Sequence, residues 1–183
     1  MGSANADANG DSVIVRPLAA DDVDAVLAMF GAVVDEGVWL GTEPGFDRDA
    51  RRERMAAAVG DPSRRGFVAI DGQGTVVGNA SMAVAGYGVA DIGMAVADAW
   101  RGRGVGGRLL DALVEAAPAT GAHKIALEVW PHNQRAIALY RSRGFEVEGR
   151  LRRHYRRSDG ELWDALVMGL VLDEGSPGSP HTG

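Results

Sequence analysis

Seven consecutive residues, Arg101-Gly102-Arg103-Gly104-Val105-Gly106-Gly107, form the stretch of this chain best suited to holding a charged ligand, and Glu128 and Tyr140 follow it as candidates for proton transfer. Glycine lacks a Cβ, so its backbone can approach an anion closely and adopt positive φ. Where such a stretch ends a strand and opens a helix, several backbone N–H groups gather at the positive end of the helix dipole, a place that suits phosphate oxygens. Arg101 and Arg103 would add charge beside them. The same glycines could equally make no more than a tight strand-to-helix connection. Two other phosphate motifs are disfavoured by inspection. There is no Gly-Lys-Ser/Thr, and the turn follows the fourth strand of the chain rather than the first of a βαβ unit with a ribose-binding acid downstream.

Glu128 sits mid-strand, and the alternation of Ile125, Leu127 and Val129 puts it on the opposite face with Ala126 and Trp130. An unpaired buried carboxylate is costly, so Glu128 is paired, exposed or working. Tyr140 shares a helical face with Ile137, which makes it a packing ring or a proton donor. The four histidines and the carboxylates show no metal-ligand spacing, so no metal is expected.

The elements that must position these groups follow from hydrophobic spacing. Val13-Ile14-Val15 reads as a strand. Asp21 and Asp22 then offer caps to a helix carrying Val23, Val26, Leu27, Phe30 and Val34. Glu36 to Phe46, with three Gly and one Pro around Trp39 and Leu40, is expected to be a loop, and Asp47 to Val59 a second helix. Phe67 to Ile70, the turn Asp71-Gly72-Gln73-Gly74, and a strand from Thr75 towards Val84 make a hairpin. Asp91 to Ala97 is the next strand, Val105 to Ala117 a helix, Ile125 to Trp130 a strand and Gln134 to Ser142 a short helix. Phe145 to Leu151 and Leu162 to Leu172 complete the sheet around a Ser158-Asp159-Gly160 turn. The expected class is α+β in α/β/α layers, a mixed six- to seven-stranded sheet with about four helices. The domain is expected over 12–173, between ends at 1–11 and 174–183 too polar and too rich in small residues to order themselves.

The chain has 183 residues, enough for one domain. Its 19 basic against 25 acidic residues give a charge of -6, which argues against a nucleic-acid partner. No run approaches the roughly 18 apolar residues of a spanning helix, and residues 1–11 lack the basic flank and apolar stretch of a leader. A soluble, cytoplasmic protein without membrane association is expected. Cysteine is absent, which excludes disulfides, thiolate metal sites and a cysteine acyl-enzyme, and points to direct transfer in any acyl chemistry.

From Asp91 to Leu172 the chain resembles the GCN5-related N-acetyltransferase (GNAT) superfamily of bacterial and other acetyltransferases. The Arg-x-x-Gly-x-Gly signature is present as Arg101, Gly104 and Gly106, followed by Leu127-Glu128-Val129, Asn133, Ala136-Ile137-Ala138-Leu139-Tyr140 and Gly144-Phe145. The resemblance implies acetyl-CoA as cosubstrate, with its pyrophosphate on the backbone of Arg101 to Gly107 and its pantetheine paired strand-like with Met94, Ala95 and Val96. It also implies a bulge near Met94 to Val96 that aims an N–H at the thioester oxygen, and a contact from Asn133 to the coenzyme arm. Tyr140 matches the tyrosine that protonates the leaving thiolate. Glu128 matches the general base of ribosomal-protein N-terminal alanine acetyltransferases, which share the Leu-Glu-Val; the other reading of Glu128 is an ion pair with an Arg on a neighbouring strand.

The C-terminal Arg152-Arg153-His154-Tyr155, Asp159-Gly160 and Asp164-Ala165 also look like that N-terminal acetyltransferase group. The loop from Glu36 to Phe46, with Trp39 and Glu43 as candidate substrate-binding residues, is longer and more aromatic than that group implies. A small-molecule amine or amino acid is therefore favoured as acceptor over a peptide N-terminus. A third reading, of another class, is a silent acyl-CoA-binding module, against which the presence of both Glu128 and Tyr140 counts. The cluster Arg150, Arg152, Arg153, Arg156 and Arg157 is expected to be a solvated hairpin face, Trp100 and Trp163 to be packing residues, and the last strands to be able to meet a second subunit in a homodimer.

Overall fold

Hydrophobic spacing anticipates every major element of the computed structural model, which describes residues 12–172. The expectations for 1–11 and 174–183 fall outside those residues. The elements are β1 (Val13–Pro17), α1 (Val23–Asp35), α2 (Arg48–Ala58), β2 (Arg64–Asp71), β3 (Val76–Val84), β4 (Val89–Val96), α3 (Val105–Ala116), β5 (Lys124–Val129), α4 (Gln134–Arg141), β6 (Glu146–Arg156) and β7 (Leu162–Val171). They form one seven-stranded sheet in the order β1-β2-β3-β4-β5-β7-β6.

Apolar stripes on the helices decide the layers. In α3, Leu109, Leu110 and Leu113 are fully buried and form one core with Val77, Ala80, Ile125 and Met168 of the sheet. Each such leucine contributes roughly 1.5–3 kcal/mol on leaving water. Gly78 of β3 allows the close approach, because a Cβ there would lie 3.0 Å from Leu109 Cδ1. The other face carries α1, whose Val26, Phe30, Val33 and Val34 pack on Val68 and Ala95. Asp47 caps α2 by accepting from Ala50 N at 2.9 Å. Asp22, expected as a cap for α1, instead accepts from Ala19 N at 2.8 Å and pairs with Arg16 at 2.6 Å. The 3-10 turn Ala20–Asp22 runs directly into α1, with Val23 N–H bonded to Ala20 O.

One pairing positions the site. β4 and β5 run parallel, and only Val89, Ala90 and Asp91 pair, with Lys124, Ile125 and Ala126. Both strands continue, β4 to Val96 and β5 to Val129, so they separate towards their carboxyl ends and leave a notch in the sheet. Notches outside the carboxyl ends of strands are where open α/β sheets bind ligands.

Two expectations about strands need correction. β3 and β4 keep an unbroken register from Gly78 opposite Val96 to Val84 opposite Ala90, so no bulge interrupts that ladder at Met94 to Val96. The last hairpin is longer than hydrophobicity indicated, because β6 runs to Arg156 through an irregularity between Leu151 and Tyr155. There Arg153 takes φ 51, and Asp164 braces the bend by accepting from Arg153 N at 2.6 Å and from Arg150 Nε at 2.7 Å. The polar run hides a strand whose pairing is partly carried by a side chain.

Candidate active site

The notch is bounded by the end of β4, the N-terminus of α3, the start of α4 and the end of β5. Beyond Asp91, β4 has no strand on its β5 side, so half of the backbone groups of Met94, Ala95 and Val96 face the opening. Met94 turns its thioether towards α3, and Ala95 is buried against α1. The strand edge is thus exposed while its side chains hold it in place.

The turn from Arg101 to Gly107 does what glycine makes possible. Gly102 has φ +77 and Gly104 φ +81, conformations that L side chains rarely adopt. Gly104 is the N-cap of α3 and has no side chain to cap with, so the first-turn N–H groups of Val105, Gly106 and Gly107 are left for a ligand. A Cβ at Gly106 would sit 3.3 Å from Leu139 of α4, so glycine there lets α3 and α4 close on each other. This cradle of unsatisfied donors at a helix dipole fits a pyrophosphate.

Arg101 is arranged differently from the sequence reading. Its guanidinium donates to Glu36 at 2.7 and 2.5 Å, to Asp98 at 3.0 Å and through Nε to Val96 O at 2.9 Å. The Arg101 side chain therefore fastens the turn to the end of α1, and the Arg101 hydrogen bond holds the Glu36 carboxyl below the usual carboxylate range. Arg103 lies over Trp100, 5.2 Å from its ring.

Asn133 is the N-cap of α4, its Oδ1 accepting from Ala136 N at 3.2 Å, so its NH2 is the part left for other contacts. One helical face later stands Tyr140, 8% exposed and packed on Phe145 with ring centroids 5.7 Å apart. The ring packs, while the hydroxyl has no hydrogen-bond partner among the described residues. Burial pushes its pKa up to about 12, so the phenol keeps its proton through the neutral range.

Glu128 is exposed on β5, and its Oε2 accepts from the Tyr155 phenol at 2.6 Å rather than from an arginine. The expected alternative, a cross-strand ion pair, is replaced by this neutral donor. Burial and then the Glu128 hydrogen bond push Tyr155 up to about 12. Around the pair runs an aromatic wall: Trp130 meets Tyr155 at 4.9 Å and Trp163 at 5.3 Å, and His132 meets Trp163 at 5.2 Å and Trp39 at 6.2 Å.

Arg157 organises this wall, and sequence reasoning missed it. Far from being solvated, it is 6% exposed. Its guanidinium lies 4.5 Å from the Trp163 ring, pairs with Glu43 at 3.1 Å and donates to Gly37 O at 3.2 Å, Leu40 O at 3.3 Å and Gly41 O at 3.4 Å. Ser158 N also donates to Glu43, at 3.0 Å. Glu43 is thus engaged in tying the α1–α2 loop to the β6–β7 hairpin, and Trp39, 36% exposed, projects from that tied loop beside His132. Nothing in the string of arginines distinguishes Arg157; its position just before the hairpin turn was the available signal.

Among the described residues no cluster of His, Asp or Glu could hold a metal ion, and no helix is long and apolar enough to cross a membrane.

Fold and notch together define an enzyme class that binds a phosphate-bearing cosubstrate between two splayed strands. Residues 33–145 match the model of the Acetyltransferase (GNAT) family, and the chain belongs to that family. It is an acetyl-CoA-dependent N-acetyltransferase. It is 30% identical over 170 residues to an L-methionine sulfoximine/L-methionine sulfone acetyltransferase of Pseudomonas paraeruginosa, covering 88% of this chain and 96% of that one. Among solved structures, a ribosomal-protein-alanine N-acetyltransferase from Brucella melitensis aligns with TM-score 0.78 and 28% identity over 87% of this chain and 99% of its own. A phosphinothricin acetyltransferase from Sinorhizobium meliloti in complex with acetyl-CoA shares the fold, with TM-score 0.80 and 24% identity over 93% and 94% of the two chains.

Proposed function

We propose that this protein acetylates the amine of a small molecule, an amino acid being favoured, with Glu128 as general base and Tyr140 as general acid. The observation that carries the reading is the notch itself. It has an open strand edge on one side, the first-turn N–H groups of α3 at one end, and Glu128 and Tyr140 on the two elements that follow. When bound, acetyl-CoA supplies the thioester whose acetyl carbon forms the new C–N bond as the C–S bond breaks.

The Gly102 to Gly107 backbone holds the pyrophosphate, Arg101 stiffens that turn from behind, and Arg103 adds charge at its rim. Met94, Ala95 and Val96 present the edge that the pantetheine arm lies along, and the Asn133 amide meets that arm. Glu128 takes a proton from the acceptor ammonium, with Tyr155 fixing the carboxylate. A peptide α-amino group, with a pKa of about 7.7–8.0, loses its proton more readily than a side-chain amine at about 10.4, and an α-amine of either acceptor class is within reach of a single carboxylate base. Tyr140, protonated across the neutral range, returns a proton to the sulfur. Trp39, held by the Glu43–Arg157 tie, narrows the acceptor entrance, which favours a small amine over a peptide N-terminus. The relative active on methionine sulfoximine and methionine sulfone supports the same preference.

The test is mass-spectrometric detection of acetylated product from acetyl-CoA with free amino acids, polyamines, amino sugars and N-terminal peptides in one panel. Acetylated amino acids are expected. Acetylation confined to peptides would transfer the reading to protein N-termini, and binding of acetyl-CoA without any product would indicate a silent module.

A further inference from the structure

Helix α2 packs on the sheet only through partly buried residues such as Met55, and a cavity of about 460 Å³ is lined by α2 on one side and by β2, β3 and β4 on the other. The face of α2 that looks into the cavity carries Arg51, Arg54, Met55 and Ala58, the i, i+3, i+4, i+7 set that a helix laid on a sheet ordinarily fills with apolar side chains.

Neighbouring arginines are accounted for. Arg52 pairs with Asp24 at 2.6 Å, Arg64 with Asp61 at 3.4 Å, and Arg65 donates to the carbonyls of Asp61, Pro62 and Arg64. Arg51 and Arg54 have neither a carboxylate nor a carbonyl partner among the described residues. Arg51 is half-buried, lying 4.2 Å from the Phe30 ring, and its burial and the nearby Arg54 both disfavour its charge. A desolvated guanidinium beside a like charge is a standing cost that an anion would remove.

The opposite wall has the complementary character. Asn79 Oδ1 is closed off from solvent without a donor, and Ser81 and Asp91 are exposed beside it. Asp91 is the last β4 residue paired to β5, opposite Ala126, and Glu128 lies two residues further along on the same face. Gly93, also lining the cavity, immediately precedes the Met94 to Val96 edge. The cavity is therefore cationic under α2 and carries acceptors at Asn79, Ser81 and Asp91 on the sheet side, where Gly93 adjoins the β4 edge of the notch.

We propose that this cavity is the acceptor's carboxylate pocket: Arg51 and Arg54 hold an acidic group of the substrate and direct its amine towards the β4 edge and Glu128. The proposal rests on the acyl-transfer reading above and narrows it to amines that carry a carboxylate, at the expense of polyamines and aminoglycoside-like amines.

The probes are the common L-α-amino acids and their α-carboxamides, assayed for kcat and KM with wild type, Arg51→Gln, Arg54→Gln and the double variant Arg51→Lys with Arg54→Lys. Wild type should prefer the acids. Each Gln variant should lose roughly 10–100-fold in kcat/KM for the acids, mainly through KM, with the carboxamides nearly unchanged. The double Lys variant should recover part of the preference. Melting temperatures measured in parallel separate binding from folding, because a loss through folding would fall equally on acids and carboxamides. Equal losses on acids and carboxamides, or no loss on either, would overturn the pocket while leaving acetyl transfer intact. If acetyl-CoA binds but no amine of either kind is acetylated, the transfer reading and the pocket fall together.

Discussion

Tyr155 donates to Glu128 Oε2 at 2.6 Å across an intervening strand, because the sheet order places β7 between β5 and β6. The bend at Arg152 to His154 lets a tyrosine of β6 reach over β7, and the T-shaped contact with Trp130 fixes its ring. Such a hydrogen bond orients the carboxylate without supplying charge, which suits the proposed general base. Glu128→Gln should cost roughly 10²–10⁴ in kcat, and Tyr155→Phe roughly tenfold, with acetyl-CoA affinity retained in both. Steady-state kinetics with parallel calorimetry checks this; full activity in Glu128→Gln would remove it as the base.

The proposed task of Tyr140 is the opposite one. Its pKa of about 12 follows from burial, so it carries a proton at every working pH. Tyr140→Phe keeps the ring against Phe145 and removes only the hydroxyl, and should lower kcat roughly 10²–10⁴-fold with little change in melting temperature. A large drop in stability without a rate effect would make it a packing residue alone.

The glycine turn can be separated from the chemistry. Gly104→Val forces a β-branched side chain to φ +81, which costs on the order of 1–3 kcal/mol of folding free energy and displaces the α3 N–H groups. Acetyl-CoA affinity measured by calorimetry should fall at least tenfold. Undiminished affinity would contradict the assignment of this turn to the pyrophosphate.

Arg157→Lys tests the loop tie. Lysine cannot stack flat on Trp163 and still reach Glu43 and three carbonyls, so the conservative change should not rescue. Removing the guanidinium leaves Glu43 and those carbonyls without their donor, a loss of roughly 2–3 kcal/mol once partial exposure of Glu43 is allowed for. A thermal melt should show it, together with a raised KM for the amine. An unshifted melt would mean the loop is held by other contacts.

The Glu36–Arg101 pair has a predictable acid limb. Glu36 has a folded-state pKa below its unfolded value, near 4.3, so the pair stabilises fully above that value and its contribution is lost as pH falls through the folded pKa. The melting-temperature difference between wild type and Glu36→Gln should be constant near pH 7 and close progressively below about pH 4. A difference independent of pH would show that the contact matters for packing rather than charge.

Local signals along the chain determined much of this protein. Element order, the Asp71–Gly74 turn, the glycine connection after β4 and the face on which Glu128 stands all depend on side-chain periodicity and backbone freedom, which are properties of a few adjacent residues. Tertiary structure alone decided the rest. It separated β4 from β5 after three pairs, turned Arg101 towards Glu36, gave Glu128 a tyrosine instead of an arginine and buried Arg157 among residues 37–43. Each of these joins segments far apart in the chain, and an arginine's partner depends on which loop folds over it. The run from Arg150 to Arg157 looks alike in sequence, yet one member is a buried brace, another bends a strand at φ 51, and Arg150 pairs with Asp164. Desolvation and geometry assign those roles, and both exist only once the sheet and its loops have closed.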